Sequence, residues 1–414
     1  MPFELPNSWV WCRLEDIAYV ASGSTPDKTC FVENGVPYIK MYNLRNQKID
    51  FAYHPQYITE EVHNGKLQRS RTEVGDLIMN IVGPPLGKLA IIPTTLPQAN
   101  FNQAAVLIRP YKFKEVLVSY LKVYLEEMSE INSIATRGSA GQVNISLTQS
   151  QNMRIPIPPL NEVRRIIEEV SKYDILIDSL KQNITDIQNL IAYTKSKILD
   201  LAIHGKLVPQ DPNDEPAIEL LKRINPDFTP CDNGHSEKFP YEIPESWVWC
   251  GHNSILDISG GAQPSKNYFE TKPKPNYIRL YQIRDYGESP VPVYIPINLA
   301  SKQTKKGDIL LARYGGSLGK VFHAEQGAYN VAMAKVIFKF ENLIYKEFAY
   351  YYYLSDLYQG KLKEISRTAQ AGFNSTDFND MYFPLPPLAE QQRIVQKIEE
   401  LFSVLDNIQK VLEV

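Results

Sequence analysis

Leu5–Cys12 reads LPNSWVWC, and Ile243–Cys250 reads IPESWVWC, 238 residues further along a chain of 414. Two tryptophans and a cysteine at fixed spacing rarely recur by accident, and further matches follow in the same order. Tyr38–Arg45 (YIKMYNLR) answers Tyr277–Arg284 (YIRLYQIR). Gly75–Ile92 (GDLIMNIVGPPLGKLAII) answers Gly307–Ala324 (GDILLARYGGSLGKVFHA). Ile155–Ile166 (IPIPPLNEVRRI) answers Phe383–Ile394 (FPLPPLAEQQRI). One unit is therefore used twice, and the function calls for two similar but non-identical sites.

Residues 1–158 and 239–384 are the two modules. Both look β-rich: short Tyr, Val and Ile runs broken by Gly, Pro and Asn. A helix is expected near Lys114–Ile134, with a counterpart near Tyr345–Ile365. Between the modules the pattern changes. From Val163 through Ile166, Val170, Tyr173, Ile177, Leu180, Ile184, Ile187, Ile191, Thr194 and Ile198 to Leu201, the seam alternates three and four apart. That spacing predicts a coiled-coil helix over 159–205. Pro158–Pro159 admits it and Gly205 ends it; at 1.5 Å per residue it is roughly 60 Å long. Residues 206–238 form a Pro-rich, acidic linker with a short helix expected at Ala217–Ile224. In 385–414 the seam resumes at Ile394, Ile398, Leu401, Leu405, Ile408 and Leu412. If this second helix returns antiparallel from beside Leu201, it stops opposite about Ile177. Val163, Ile166, Val170 and Tyr173 are then left for a partner to cover.

Net charge is −3, with 22% charged and 43% hydrophobic residues, so the whole chain carries no basic signature. The charge is uneven, however: Gly260–Phe340 holds twelve Lys and Arg against five Asp and Glu. The four cysteines lack metal-ligand spacing; Cys12 and Cys250 read as small buried hydrophobes, and reduced cytoplasmic thiols fit best. The start has no signal-peptide pattern, and no apolar run reaches the length of a membrane span.

Strand alternation predicts that Tyr38, Lys40 and Tyr42 share one face, as do Tyr277, Arg279 and Tyr281. A Tyr–basic–Tyr face suits phosphates and bases. Gly83–Lys88 and Gly315–Lys320 look like phosphate loops, but three residues separate the glycines, and Leu89 or Val321 follows the lysine. A P-loop needs four residues there and a Ser or Thr after the lysine, so a tight turn with a lysine at its edge fits better. Arg137–Asn144 and Arg367–Asn374 are paired small-residue loops. The candidate DNA-facing residues are Lys40, Tyr42, Arg45, Lys88 and Arg137 in the first copy. In the second they are Arg279, Tyr281, Arg284, Arg313, Lys320 and Arg367. The six histidines are scattered and unpaired between the copies, and no catalytic motif is present, so no chemistry is expected of this chain alone.

The order of module, PLPPLxEQxRI signature, helix, module, signature and helix resembles the specificity subunit of type I restriction-modification systems. The resemblance spans essentially the whole chain, and Phe383–Ile394 carries it most closely; Val163 departs from the usual Gln. It implies an α+β fold with two β-rich target recognition domains, related by pseudo-twofold symmetry and separated by long antiparallel coiled-coil helices. It implies a non-catalytic subunit that binds double-stranded DNA at a bipartite asymmetric target. The expected partners are a methylation subunit in two copies and a restriction subunit that translocates DNA. S-adenosylmethionine, ATP and magnesium would sit on those partners, with no cofactor on this chain. The competing reading is a coiled-coil scaffold with two protein-binding modules and no DNA specificity.

Overall fold

The computed structural model describes residues 3–83, 86–126, 144–228, 239–368 and 372–413, the side chains of 366–368 excepted. It divides into two compact units, Met1–Leu180 and Lys181–Val414. In the first, strand Val10–Arg13 pairs antiparallel with Arg154–Ile157, setting Cys12 opposite Ile155 and Trp11 opposite Pro156. In the second, Val248–Gly251 pairs with Tyr382–Leu385, and Cys250 lies opposite Phe383. The two best-matched signatures are thus bonding partners that join each module's beginning to its end. A two-stranded pairing tolerates the proline, which has no N–H to give a central ladder.

Each module has a four-stranded antiparallel sheet of the same strand order. In the first the order is Ala18–Ser22, Ala105–Pro110, Leu77–Asn80, Leu89–Ile91; in the second it is Leu256–Gly260, Met333–Phe338, Ile309–Ala312, Val321–His323. The repeated Gly-Asp starts the third strand of each order. Gly75 (φ 79°) and Gly307 (φ 80°) take the left-handed turn that suits glycine. The carboxylate of Asp76 accepts from Glu73 N at 2.7 Å, and that of Asp308 from Lys305 N at 3.0 Å. Asp76 also pairs with Arg109 (2.6 Å) and Lys114 (2.7 Å); Asp308 pairs with Lys335 and Lys346, both at 3.5 Å. Lys114 and Lys346 open the helices that cover the sheets.

The expected helix at Lys114 is described to Glu126, and the rest of that expectation lies outside the described residues. The counterpart expected over Tyr345–Ile365 is two helices, Lys346–Leu354 and Asp356–Thr368. The break is at Ser355, whose extended backbone (ψ 159°) ends the first helix and whose hydroxyl donates to Tyr352 O at 2.6 Å.

The long helix spans Leu160–Ile203, 44 residues. Gly205 (φ 66°) stops it, and Lys206 N returns to Leu201 O at 2.9 Å, the bond of a Schellman cap. Val163 is no partner surface. It is fully buried in the first module's own core with Leu121 and Ile155, and Ile166 packs on the same cluster. Val170 is half-buried, so only Tyr173 of that four is exposed, at 59%.

In the second unit the shorter helix, Leu388–Leu412, runs antiparallel to the end of the long one. Glu390 accepts from Gln210 Nε2 at 2.5 Å, and Asp406 pairs with Lys195. The helix ends six residues beyond Asp406, abreast of about Asn189, twelve residues short of the expected Ile177. The cause is its first turn. Buried Glu390 also takes Trp247 Nε1 at 2.9 Å, which fastens that turn beside the linker rather than beside Leu201.

Candidate nucleic-acid interface

The expected Tyr–basic–Tyr faces do not correspond between the copies. Tyr38 is buried, not outward, and its hydroxyl donates to Ser24 O at 2.9 Å. In the first module Ile39 pairs in parallel with Phe101; in the second Tyr281 pairs with Tyr329. Phe101 and Tyr329 hold the same place, each followed by an asparagine whose amide donates to the opposing strand, to Ile39 O and to Tyr281 O, both at 3.1 Å. The next turns agree: Lys40 N donates to Asn43 Oδ1 at 2.9 Å, and Gln282 N to Asp285 Oδ2 at 2.8 Å. The true register is therefore slid by three residues. Tyr38 matches Leu280, Lys40 matches Gln282, and Tyr42 matches Arg284. The fit of the inward side chain to the core fixes the strand, and the likeness of YIKMY to YIRLY is a coincidence of spacing.

Tyr42, Arg45 and Lys88 come together. They line one cleft of about 680 Å³ with Asn46, Gln47 and Tyr53. The Arg45 guanidinium lies over the Tyr53 ring, 4.0 Å from its centroid, and 3.8 Å from Asp50 Oδ2. Tyr42 donates its hydroxyl to His54 O at 3.2 Å, and burial pushes its pKa up, so it stays a donor. Lys88 N is held by Asn80 Oδ1 at 2.5 Å. Lys40 points elsewhere, 5.5 Å over the Phe31 ring.

In the second module Lys320 holds the place of Lys88: Ala312 N donates to Lys320 O as Asn80 N does to Lys88 O, both at 2.9 Å. Lys320 and Arg284 are exposed. Arg279 lies over the Tyr281 ring at 4.7 Å and 3.6 Å from the buried Asp285 carboxylate. Arg313 is tied to backbone oxygens, Phe373 O at 2.9 Å and Val331 O at 3.4 Å, and so braces the fold. Arg137 and the side chain of Arg367 lie outside the described residues. The sequence reading missed Gln47, Asp50 and Tyr53. Their one signal is the Asn46–Gln47 pair, a weak hairpin turn beside the stronger Asn-Gly type. Among the described residues no His, Cys, Asp and Glu group could hold a metal, and no helix is long and apolar enough to cross a membrane.

A doubled α+β module, each copy ending in a Pro-rich strand that enters a helix and each showing basic and aromatic side chains, defines a two-part DNA-reading chain. The chain belongs to the family described as the type I restriction modification DNA specificity domain, matched over residues 6–189 and 244–414. Its role is thus non-catalytic DNA sequence recognition within a type I restriction-modification system. It is 24% identical to the type I restriction enzyme EcoEI specificity subunit of Escherichia coli, over 100% of this chain and 80% of that protein. It is 23% identical to the EcoKI specificity subunit of Escherichia coli K12, over 98% and 85%. Among solved structures, a chain from a study of assembly and conformational transition in a type I R-M system matches at TM-score 0.63 and 19% identity, over 100% of this chain and 94% of that one. The HsdS subunit of Thermoanaerobacter tengcongensis matches at 0.57 and 18%, over 99% and 93%.

Proposed function

We propose that each module reads one half of a bipartite, asymmetric duplex target, while a methylation subunit in two copies and a restriction subunit supply the chemistry. The observation that carries this reading is the pattern at matched positions. Lys88 and Lys320 hold the same place, which suits a sequence-blind phosphate contact. Tyr42 and Arg284 occupy one place with different chemistry, which suits reading different bases. S-adenosylmethionine, ATP and magnesium belong on the partner subunits in this reading. The long helix is a stiff ruler for the unread spacer, and its exposed seam from Tyr173 onward is the face for the methylation subunit.

The test is a DNA-binding assay across salt concentrations on the chain co-purified with its methylation partner, followed by mapping of methylated adenines. The expected result is a split target and an affinity that falls steeply with salt. A scaffold of protein-binding modules gives salt-independent, negligible DNA affinity, and that result refutes the proposal.

A further inference from the structure

We infer that Arg45 is the side chain with which the first module reads a guanine, and that Gln47 is the positioning residue that holds it in place. The inference rests on the DNA-reading function proposed above and names the base and the clamp.

Strands Leu44–Arg45 and Lys48–Ile49 form a two-residue hairpin. Its tip, Asn46 (φ 48°) and Gln47 (φ 55°), is left-handed at both positions. Such turns place glycine second, because a β-carbon is costly there. Gln47 bears that cost and uses its side chain: Oε1 accepts from Leu89 N at 2.8 Å. Leu89 opens the Leu89–Ile91 strand at the edge of its sheet, where amides lack a neighbouring strand. A glycine would relax the turn but leave this bond unmade. The bond ties the hairpin that carries Arg45 to the turn that carries Lys88.

Arg45 is braced from two sides. Tyr53 lies under its guanidinium at 4.0 Å and Asp50 stands 3.8 Å from Nε, yet 48% of the side chain remains exposed. A guanidinium placed over a ring with half of its side chain open is a pre-placed fork, and a guanidinium fork is the shape that meets guanine O6 and N7 together. Lys88, a compact charge on the same cleft, suits a phosphate instead. The second module does not repeat this hairpin device: Asp285 matches Asn43, each capping its turn, so Arg45 falls on Gly287. Its own stacked pair, Arg279 over Tyr281 at 4.7 Å, stands before that turn and is only 27% exposed. The contact of Arg45 is therefore assigned to the first module's half-site.

The experiment uses the chain in complex with its methylation subunit. Its target is first read from the methylated sites, and its binding is then measured on a library randomised at each target position. Arg45→Ala should cut the preference at one G·C pair of one half-site by roughly 5- to 150-fold, with the salt slope unchanged. Lys88→Ala should weaken all sequences alike and reduce the slope by about 1. Gln47→Gly should hold or raise the melting temperature while eroding preference at Arg45's base pair alone. Gln47→Glu keeps an acceptor for Leu89 N and should preserve that preference. An even loss of affinity in Arg45→Ala overturns the guanine assignment, and an intact preference in Gln47→Gly overturns the clamp. A wild-type complex without preference at any position sinks the underlying DNA-reading function, which separates that failure from these.

Discussion

The one-turn helices Leu14–Ile17 and His252–Ile255 hold the same place in the two modules, and they open on Leu14 in the first copy and His252 in the second. Both are fully buried, and their amides make the same bond, to Met153 O at 2.8 Å and Met381 O at 2.7 Å. His252 is satisfied only as the neutral ring. Asn253 Nδ2 donates to Ser375 O and Asn379 Oδ1, both at 2.7 Å, so Asn253 Oδ1 faces His252 Nδ1 (2.7 Å) and accepts its proton. Nε2 is left to accept from the Tyr353 hydroxyl at 2.8 Å. Burial lowers the His252 pKa from 6.5 to about 4, although the Asn253 bond and the Asp257 charge pull it the other way. The unfolded chain binds a proton below pH 6.5 that the folded module refuses until about pH 4, so stability is lost as pH falls through that window. Between pH 7 and pH 5 the second module should lose about 2 kcal/mol from this group. Denaturant titrations of wild type and His252→Gln at both pH values check this; equal pH slopes would refute it. Gln391 differs from Val163 in the same way. It accepts from Tyr345 N at 2.7 Å and donates to Leu343 O and Pro386 O at 3.1 and 3.0 Å, whereas Val163 fills an apolar core. The sequence shows where the copies differ. The partners that give each difference its meaning lie tens to a hundred residues away.

Among the elements, the helices were the most legible, since a three-four alternation needs no tertiary information. The end of the long helix at Gly205 and both ends of Ala217–Ile224 were legible too; the register of the shorter helix against the long one was not. The first turn of the shorter helix answers to Trp247 and Gln210, which no local pattern announces. That displacement also relocates the uncovered seam. Tyr173, Ile177, Leu180, Ile184 and Ile187 are all exposed, Tyr173 at 59% and Leu180 at 60%. Large apolar side chains aligned along a helix cost about 25 cal/mol per Å² of apolar surface left in water, and a stripe of this kind marks an interaction face. Tyr173→Asp combined with Leu180→Asp should weaken binding of the methylation subunit at least tenfold, with both modules' melting unchanged. Ile166→Asp, which strikes the first module's core, should instead lower that module's stability. Surface plasmon resonance and calorimetry separate the two effects. Wild-type partner affinity in the double variant would remove the seam from the interface.

For the whole molecule the internal repeat was decisive: it gave two modules, a helix after each and a family. Net charge of −3 gave no hint of nucleic acid; the local excess in the second copy did. The cleft of the first module stayed hidden because its parts, Arg45, Gln47, Tyr53 and Lys88, converge through hairpin geometry rather than spacing. The proposed division of labour, modules for bases and helix for distance, is open to a direct test. Seven residues inserted after Gln182, in the exposed middle of the long helix, keep the seam in phase because the heptad is preserved. They lengthen the helix by about 10 Å, equivalent to roughly three base pairs at 3.4 Å each. If the helix is the ruler, the methylated target keeps both half-sites and gains about three unread base pairs between them. A shorter insertion of two residues turns the seam beyond it by roughly 200° and should reduce partner binding instead. Mapping of methylated adenines reports all three quantities at once, the two half-sites and the gap. An unchanged gap would mean that some other element sets the distance, and altered half-sites would mean that the modules do not read independently of the rod.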